Sequence, residues 1–270
     1  MVKVTYVPRL PYENPMAQKL GLGSDDLKRE SKLARLLEDL QGKIYTPVPG
    51  EVTWHYQEAE GTGALPLPED WREWLILTAR SVWGTTQKHT WLVAEITVPE
   101  EARGGTFAIS ITSNWRIQQG STDPQCLAYL DGRIVQAIDG NHSELVIARD
   151  AIPGTMHLLQ VNAFTFDERP MVGFETDLVV RDDRIEGLYH DLSTAFEVAA
   201  RLPQADGCRH AVLNHVERAL YALDRREGQA GALGQTLAEA ERIASEIHGL
   251  VGDDSKPTIS AFGHTHLDVA

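Results

Sequence analysis

The sequence lacks features that define several large classes of proteins. It has no run of about 18 apolar residues, so we expect no transmembrane helix. Residues 1–15 contain no apolar core of a secretory signal, and we therefore expect a cytoplasmic protein. Only two cysteines occur in the 270 residues, Cys126 and Cys208. They lie far apart in a chain without a signal peptide, which predicts free thiols and no disulfide.

Positive charge is also scarce. The 25 Lys and Arg residues stand against 39 Asp and Glu residues, which gives a formal net charge of -14. The most basic stretch, residues 218–226, also contains Asp224. Because a duplex-binding surface needs a basic stripe, we expect no nucleic acid and no anionic membrane among the partners. The acidic balance favours solubility.

The first predicted element is a helix over residues 24–41. Ser24 can cap its N-terminus and Gly42 can end it, while residues 1–23 resemble an extended arm. Four leucines share one face of this helix at spacings of three and four, so we expect it to dock on the rest of the protein: Leu33, Leu36, Leu37 and Leu40.

Residues 43–182 have the pattern of a β domain. Asp131-Gly132 lies between two alternating segments and predicts a tight hairpin. Strands at this spacing predict an antiparallel β-sandwich, jelly-roll-like in architecture. The segments that carry the pattern are HTWLVAEITV, GTFAISITS, QCLAYL, RIVQAI, SELVIA, HLLQVNAFTF and MVGFETDLVV.

Three amphipathic helices are predicted after residue 182. The first covers residues 185–199 and ends before Pro203, and Asp206 can cap the second. The third covers residues 233–251. We therefore interpret residues 183–252 as a helical linker.

The segment GHTHLDVA, which follows the strand-like run TISAF, has the sharpest chemical signal. In an extended chain His264, His266 and Asp268 lie on one face, because side chains alternate. Two imidazoles and a carboxylate suit zinc, although a metal site needs about four ligands. The alternative is a solvated polar tail after a strand.

Other candidate residues have structural explanations that we favour. His215 lies on the apolar face of its helix and is interpreted as a core histidine. Cys208 and His210 point apart on a helix, which argues against a thiolate–imidazole pair. The tryptophans Trp54, Trp71 and Trp74 could stack on sugars, but packing is the preferred interpretation. The acid pairs Asp182-Asp183 and Glu100-Glu101 are interpreted as solvated turn charges.

GHTHLDVA after an apolar strand resembles the start of the catalytic domain of glycoside hydrolase family 38, the α-mannosidases. Earlier segments resemble the bacterial and cytosolic type of that family in the same order: LARLLEDLQGKIYTP, LPEDWREW, WGTTQKHTWLVAEITVPEEARGG and LAYLDGRIVQAIDGNHSELVI. The resemblance covers residues 24–270. It implies an α+β chain with four parts: an arm and helix (1–42), a β-sandwich (43–182), a helical linker (183–252) and the first strand of a truncated (β/α) barrel (253–270).

The resemblance also implies an activity. Family members are retaining glycosidases that hydrolyse α-mannosides with a metal, usually zinc, and such chemistry needs two carboxyl groups about 5–5.5 Å apart. His266 and Asp268 match the metal ligands, and His264 matches a residue near the metal. The nucleophile and the acid/base match no residue before Ala270. The implied partners are α-mannoside glycans, the remainder of the catalytic domain and further copies in a homo-oligomer.

Two other interpretations of the chain stay open at this stage. The sandwich can be a non-catalytic module for oligomer assembly or glycan binding, inactive by itself. The chain can also be an unrelated β-sandwich protein with a polar tail.

Overall fold

The structure, a computed structural model, is an α+β protein with two compact units. It describes residues 24–59, 68–78, 80–84, 87–111, 124–138, 142–166, 171–172, 174–224 and 232–250. One unit is Lys43–Asp183, and the described residues on either side of it, 24–42 and 184–250, form the other. None of the helices in these ranges is both long and apolar enough to cross a membrane.

The first unit is an antiparallel β-sandwich, as the alternating segments predicted. Its four-stranded sheet has the order β1-β12-β6-β9, and its six-stranded sheet has the order β3-β2-β5-β10-β7-β8; β11 and β4 form a separate pair. The strands are β1 (Tyr45–Pro47), β2 (His55–Ala59), β3 (Leu75–Ile76), β4 (Val82–Trp83), β5 (Lys88–Thr97), β6 (Thr106–Ile111), β7 (Gln125–Leu130), β8 (Arg133–Ile138), β9 (Glu144–Ala148), β10 (Met156–Thr165), β11 (Met171–Val172) and β12 (Thr176–Arg181).

Alternation along the strands creates the sandwich core. Leu92 of the six-stranded sheet and Phe107 of the four-stranded sheet are both fully buried in one apolar cluster. Successive side chains of a strand point to opposite faces, so their neighbours at even spacing join the same core. The members on β5, β10 and β6 are Leu92, Ala94, Ile96, Leu159, Val161, Ala163, Phe107, Ile109 and Ile111.

The predicted hairpin at Asp131-Gly132 is confirmed. These two residues join β7 to β8 with φ values of 50° and 77°, which is the backbone of a type I′ turn. The carboxylate of Asp131 also contacts the neighbouring strand β10: it accepts a 2.9 Å bond from the Leu158 amide and lies 2.8 Å from Nδ1 of His157. A local turn signal thus also fixes the start of β10.

The second unit is helical. Its elements are α1 (Ser24–Gln41), α2 (Asp183–Arg201, whose first residue belongs to the sandwich unit), α3 (Gly207–Ala222) and α4 (Ala232–Ser245). Asp206 caps α3 as predicted, because its carboxylate accepts a 2.8 Å bond from the Cys208 amide. The third predicted helix is shorter than expected: α4 ends at Ser245, and a 3-10 helix follows over Glu246–Leu250. Tightening to 3-10 geometry is common in the last turn of a helix, and Gly249 favours that ending.

The N-terminal helix α1 packs within this helical unit. Leu33, Leu37 and Leu40 are buried, Leu36 is half-buried, and α1 contacts α3. The predicted docking of the leucine stripe is therefore observed. The described residues 24–42 and 184–250, which were predicted as an N-terminal segment and a helical linker, belong to one compact unit.

Candidate functional site

The predicted metal-binding residues lie outside the part of the chain that the structure describes. This applies to His264, His266 and Asp268, and also to the expected barrel strand before them. Within the described ranges, no group of three His, Cys, Asp or Glu side chains could hold a metal ion. The metal assignment therefore stays a prediction from the sequence.

His215 and the two cysteines, which the sequence singled out, lie in environments that are typical of structural residues. Nδ1–H of His215 donates to the Ala211 carbonyl at 2.8 Å, one turn earlier in α3, and Nε2 lies 3.5 Å from a Glu246 carboxylate oxygen. Both ring nitrogens thus face protein groups, as expected for a structural histidine. Cys126 and Cys208 are free thiols, as predicted.

The tryptophans that could have stacked on sugars are mainly packing residues. Trp54 is buried, and its Nε1–H donates to Thr176 Oγ1 at 3.2 Å. Trp71 is buried as well: the Arg72 guanidinium lies 4.4 Å from its ring centroid, and His55 contacts the ring edge-on at 5.5 Å. Trp74 is half-buried. The faces of Trp54 and Trp71 are therefore occupied by protein.

Asp183 is not a simple solvated turn charge, which corrects the interpretation of the Asp182-Asp183 pair. Its carboxylate accepts bonds from Thr106 Oγ1 at 2.7 Å, Arg181 Nε at 2.8 Å and Arg149 Nη1 at 3.2 Å. Partial burial acts to raise the pKa of Asp183. The hydrogen bonds from Thr106 and Arg181, with the charges of Arg181 and Arg149, outweigh it and lower the pKa. The strands β6 and β12 and the loop after β9 contribute to this pairing, which the sequence did not indicate.

A buried ion pair joins α1 to α3, and the sequence did not predict it. Arg209 is 1% exposed, and its Nη2 donates to Glu30, whose side chain is 15% exposed. Nε and Nη1 of Arg209 have no hydrogen-bond partner among the described residues. The only hint in the sequence was the position of Arg209 in an amphipathic helix, next to predicted core residues.

The outer face of the six-stranded sheet, opposite the sandwich core, carries a second unexpected cluster. We call Trp91, Gln160, Asn162, His89 and Tyr129 the outer-face cluster. Trp91 and Asn162 are register partners on β5 and β10, and the Trp91 and Tyr129 ring centroids are 5.5 Å apart. His89 Nδ1 lies 2.7 Å from Asn162 Oδ1. Polar residues alternating with apolar ones normally indicate a solvated face, yet Trp91 and Gln160 are each 3% exposed.

Two polar atoms of the outer-face cluster are buried and unpartnered. Within the described ranges, neither Nε1 of Trp91 nor Oε1 of Gln160 has a hydrogen-bond partner. One atom is a donor and the other an acceptor. Buried polar side-chain atoms usually have a partner, so the pair distinguishes this face from ordinary packing.

Comparison with known proteins gives distant structural similarity only. The sequence matches no protein-family profile and no curated protein. A putative β-galactosidase from Bacteroides fragilis is similar at TM-score 0.35 and 10% identity, over 51% of this chain and 23% of that one. A calcium-binding mutant of Bacteroides uniformis β-glucuronidase 2 is similar at TM-score 0.34 and 10% identity, over 50% of this chain and 18% of that one. Ruminococcus gnavus β-glucuronidase in complex with uronic isofagomine is similar at TM-score 0.32 and 13% identity, over 51% of this chain and 28% of that one.

The chain therefore spans less than a third of the length of each of these glycosidases. At such TM-scores and identities the similarity carries no argument about activity, since one fold hosts many functions.

Proposed function

We propose that the chain is the N-terminal portion of a metal-dependent, retaining α-mannosidase that resembles glycoside hydrolase family 38. The observation that carries the proposal is the order of the motifs along the sequence, which ends in His264, His266 and Asp268. The helix α1, the antiparallel sandwich and the helices α2 to α4 support it, because they occur in the order that the resemblance implies. The proposal includes α-mannoside glycans as substrates, a cytoplasmic location and a homo-oligomer.

The proposed metal site depends on the chemistry of its donors. His266 and Asp268 supply an imidazole and a carboxylate, which zinc prefers, and His264 lies beside the site. When bound, the metal supplies orientation of the sugar hydroxyls. The nucleophile and the acid/base belong to the remainder of the catalytic domain, so the 270 residues alone do not complete the reaction.

The test measures hydrolysis of para-nitrophenyl α-mannoside by two proteins. The 270-residue chain should show no turnover with or without added zinc, because no carboxylate pair for the reaction matches its residues. The product of the complete reading frame should hydrolyse the mannoside and lose activity on chelation. Asp268→Ala should abolish that turnover, whereas Asp253→Ala, a matched acidic control outside the motif, should retain it.

Three outcomes contradict the proposal. The first is turnover by the 270-residue chain that disappears with Asp268→Ala. The second is a stop codon directly after Ala270 in the gene. The third is hydrolysis of para-nitrophenyl β-glucuronide or β-galactoside, and not the α-mannoside, by the complete product; that result would place the protein with the activities named for its structural neighbours.

A second candidate function is a non-catalytic sandwich module for glycan binding or assembly. The observation that favours it is the compact unit Lys43–Asp183, which has its own apolar core. Binding of a glycan by a complete gene product that hydrolyses none of the three substrates would favour this candidate.

A further inference from the structure

A single carboxylate, that of Glu246, connects the last described element of the helical unit to its neighbours. Glu246 begins the 3-10 helix over Glu246–Leu250, which packs against α3 and α4 and which we call the terminal 3-10 helix. Its Oε1 accepts a hydrogen bond from Arg242 on α4. Its Oε2 lies 3.5 Å from Nε2 of His215 and 3.6 Å from Nη1 of Arg218, both on α3. The carboxylate therefore joins the terminal 3-10 helix to both of these helices.

The hydrogen bonding of His215 determines which of its ring nitrogens carries the proton in the neutral state. Nδ1 lies 2.8 Å from the carbonyl oxygen of Ala211, one turn earlier in α3. A carbonyl oxygen only accepts hydrogen bonds, so Nδ1 must be the protonated nitrogen. Nε2 of the neutral ring is then an acceptor with a lone pair. It is this nitrogen that faces the Glu246 carboxylate.

Neutral His215 therefore makes an unfavourable contact with Glu246. The lone pair on Nε2 and the carboxylate oxygen are both acceptors, and neither supplies a hydrogen. Their separation of 3.5 Å exceeds the length of an N–H···O bond, which is about 2.7–3.2 Å. Uptake of a proton at Nε2 reverses the sign of the contact, because the ring becomes a cation whose N–H donor is directed at the carboxylate.

The fixed charges around His215 balance one another. Arg218 and Arg242 are positive, while Glu246 and Glu239, which also bonds Arg242, are negative. A proton on His215 thus enters a locally neutral environment with a carboxylate oxygen beside it.

Other charged groups of the elements around α3 interact elsewhere. Glu217 lies two residues after His215, and positions that far apart on a helix do not face each other. His210 on α3 and His248 on the terminal 3-10 helix are exposed. The remaining charged groups have these contacts: Arg29 with Glu217, Glu30 with Arg209, Lys32 with the ring of Tyr221, and Arg184 with Glu241 on α4.

We propose that His215 and Glu246 form a pH-dependent contact that holds the terminal 3-10 helix on α3. Histidine is the side chain that ordinarily changes charge between about pH 5 and 8, whereas carboxylates are ordinarily ionised above about pH 4. The contact is attractive while His215 is protonated and Glu246 is ionised. It becomes repulsive as the pH rises and the ring loses its proton. The stabilisation of the 3-10 helix is therefore present in mildly acidic solution and is lost toward about pH 8.

The inference goes beyond the proposed function because it needs neither a metal nor a catalytic residue. The terminal 3-10 helix is the last described element before the segment with His264, His266 and Asp268. On the proposed function, the contact adds a pH-dependent hold on the chain before the metal-binding segment, and this consequence alone rests on that proposal. The contact itself is tested without measuring activity, so the two proposals can fail independently.

Hydrogen exchange of the 270-residue chain tests the contact where it occurs. The protection of the amides of residues 246–250 is measured at about pH 5.5 and about pH 8 and corrected for the intrinsic effect of pH on exchange. The amides of α2 provide the internal reference. In the wild type the segment should be about threefold more protected at the lower pH, which is the size expected of a partly exposed ion pair.

Three variants separate the contribution of His215 from general effects of pH. His215→Gln supplies an amide donor that does not titrate, so the ratio of the two protections should fall to about one. Glu246→Gln removes the carboxylate, and the gain in protection at the lower pH should disappear. His210→Gln is the matched control, because His210 is an exposed histidine on the same helix, and this variant should retain the wild-type ratio.

Three results would overturn the proposal. The first is equal protection of residues 246–250 at the two pH values in the wild type. The second is a wild-type ratio that persists in His215→Gln. The third is a ¹⁵N spectrum of the wild type at about pH 8 in which His215 carries its proton on Nε2 and not on Nδ1. That spectrum needs no variant, so it decides the question even if a substitution prevents folding.

Discussion

The buried ion pair of Arg209 and Glu30 leads to our most specific prediction about stability. Mutation of its two members should have unequal effects on the free energy of unfolding. Arg209 lies in α3 and is 1% exposed, whereas the Glu30 side chain on α1 is 15% exposed. Only Nη2 of the guanidinium has an observed partner in the described part of the chain, and Nε and Nη1 have none. The arginine therefore bears most of the desolvation cost of the pair.

Removal of Glu30 should lower the free energy of unfolding more than removal of Arg209. Glu30→Leu leaves a buried cation without its carboxylate, and such a loss destabilises by about 3–5 kcal/mol. Arg209→Met removes the cation together with its unmatched N–H groups. The glutamate that is left is partly reached by water, so this change should cost about 1–2 kcal/mol. The double variant buries two apolar side chains of similar size and should lie within about 1 kcal/mol of the wild type.

Urea unfolding followed by far-UV circular dichroism, which is dominated by helices, measures all four proteins of this cycle. At about 2–4 °C per kcal/mol, Glu30→Leu should also lower the melting temperature by about 6–20 °C. Equal costs for the two single variants, or costs that simply add in the double variant, would refute the reasoning, because the two side chains would then not be coupled. Arg29 provides the control: it bonds Glu217 at 2.7 Å at a more exposed position, and Arg29→Met should cost less than about 1 kcal/mol.

Three further predictions follow from single sites. Leu33→Ala should cost about 2–5 kcal/mol in urea unfolding because Leu33 is fully buried, and a loss no larger than that of half-buried Leu36→Ala would contradict this. Burial acts to raise the pKa of Asp131, but the bonds from His157 and the Leu158 amide lower it overall; the stability that Asp131 contributes is therefore present above pH of about 4 and is lost as the pH falls through the lower folded value. Asp131→Asn should flatten that acid dependence, and an unchanged pH profile would contradict it. Gly132→Ala should cost about 1 kcal/mol because φ is 77°, while Gly187→Ala in α2, where a Cβ meets no atom within 4 Å, should stabilise by about 0.5–1 kcal/mol; the same sign for both would refute the backbone argument.

The local elements of the fold were predictable because their signals lie within a few residues. Asp131-Gly132 prefers positive φ at both positions, and this preference needs no tertiary contact to be recognised. Asp206 caps α3 through a bond to Cys208 only two residues away. The alternating strands predicted a sandwich because each needs one apolar face against another sheet.

The long-range associations were not predictable, because nothing in the sequence specifies which distant elements meet. Glu30 and Arg209 are 179 positions apart, and each alone has the pattern of an ordinary charge on a helix. Asp183 was interpreted as a solvated turn residue, since Thr106 and Arg149 reach it only after the strands have paired. Gln160 and Asn162 alternate with apolar neighbours, and alternation indicates a face without telling whether that face is covered.

Within the described ranges, buried side-chain polar atoms without partners occur on Arg209, on Trp91 and Gln160, and on the hydroxyls of Thr90, Ser110 and Thr165. Arg209 differs from the others in this group because it carries a charge. At Arg209 the unmatched N–H groups belong to a cation that already faces Glu30, near the capping carboxylate of Asp206. Because that cation already faces the Glu30 carboxylate across the two helices, the pair is best explained as a contact that fixes α1 against α3. At Trp91 and Gln160 the unmatched atoms are a neutral donor and a neutral acceptor beside aromatic rings. An unmatched neutral donor or acceptor costs less to bury than an unmatched charge, so the stability of the fold should depend more on the helical ion pair than on these two atoms.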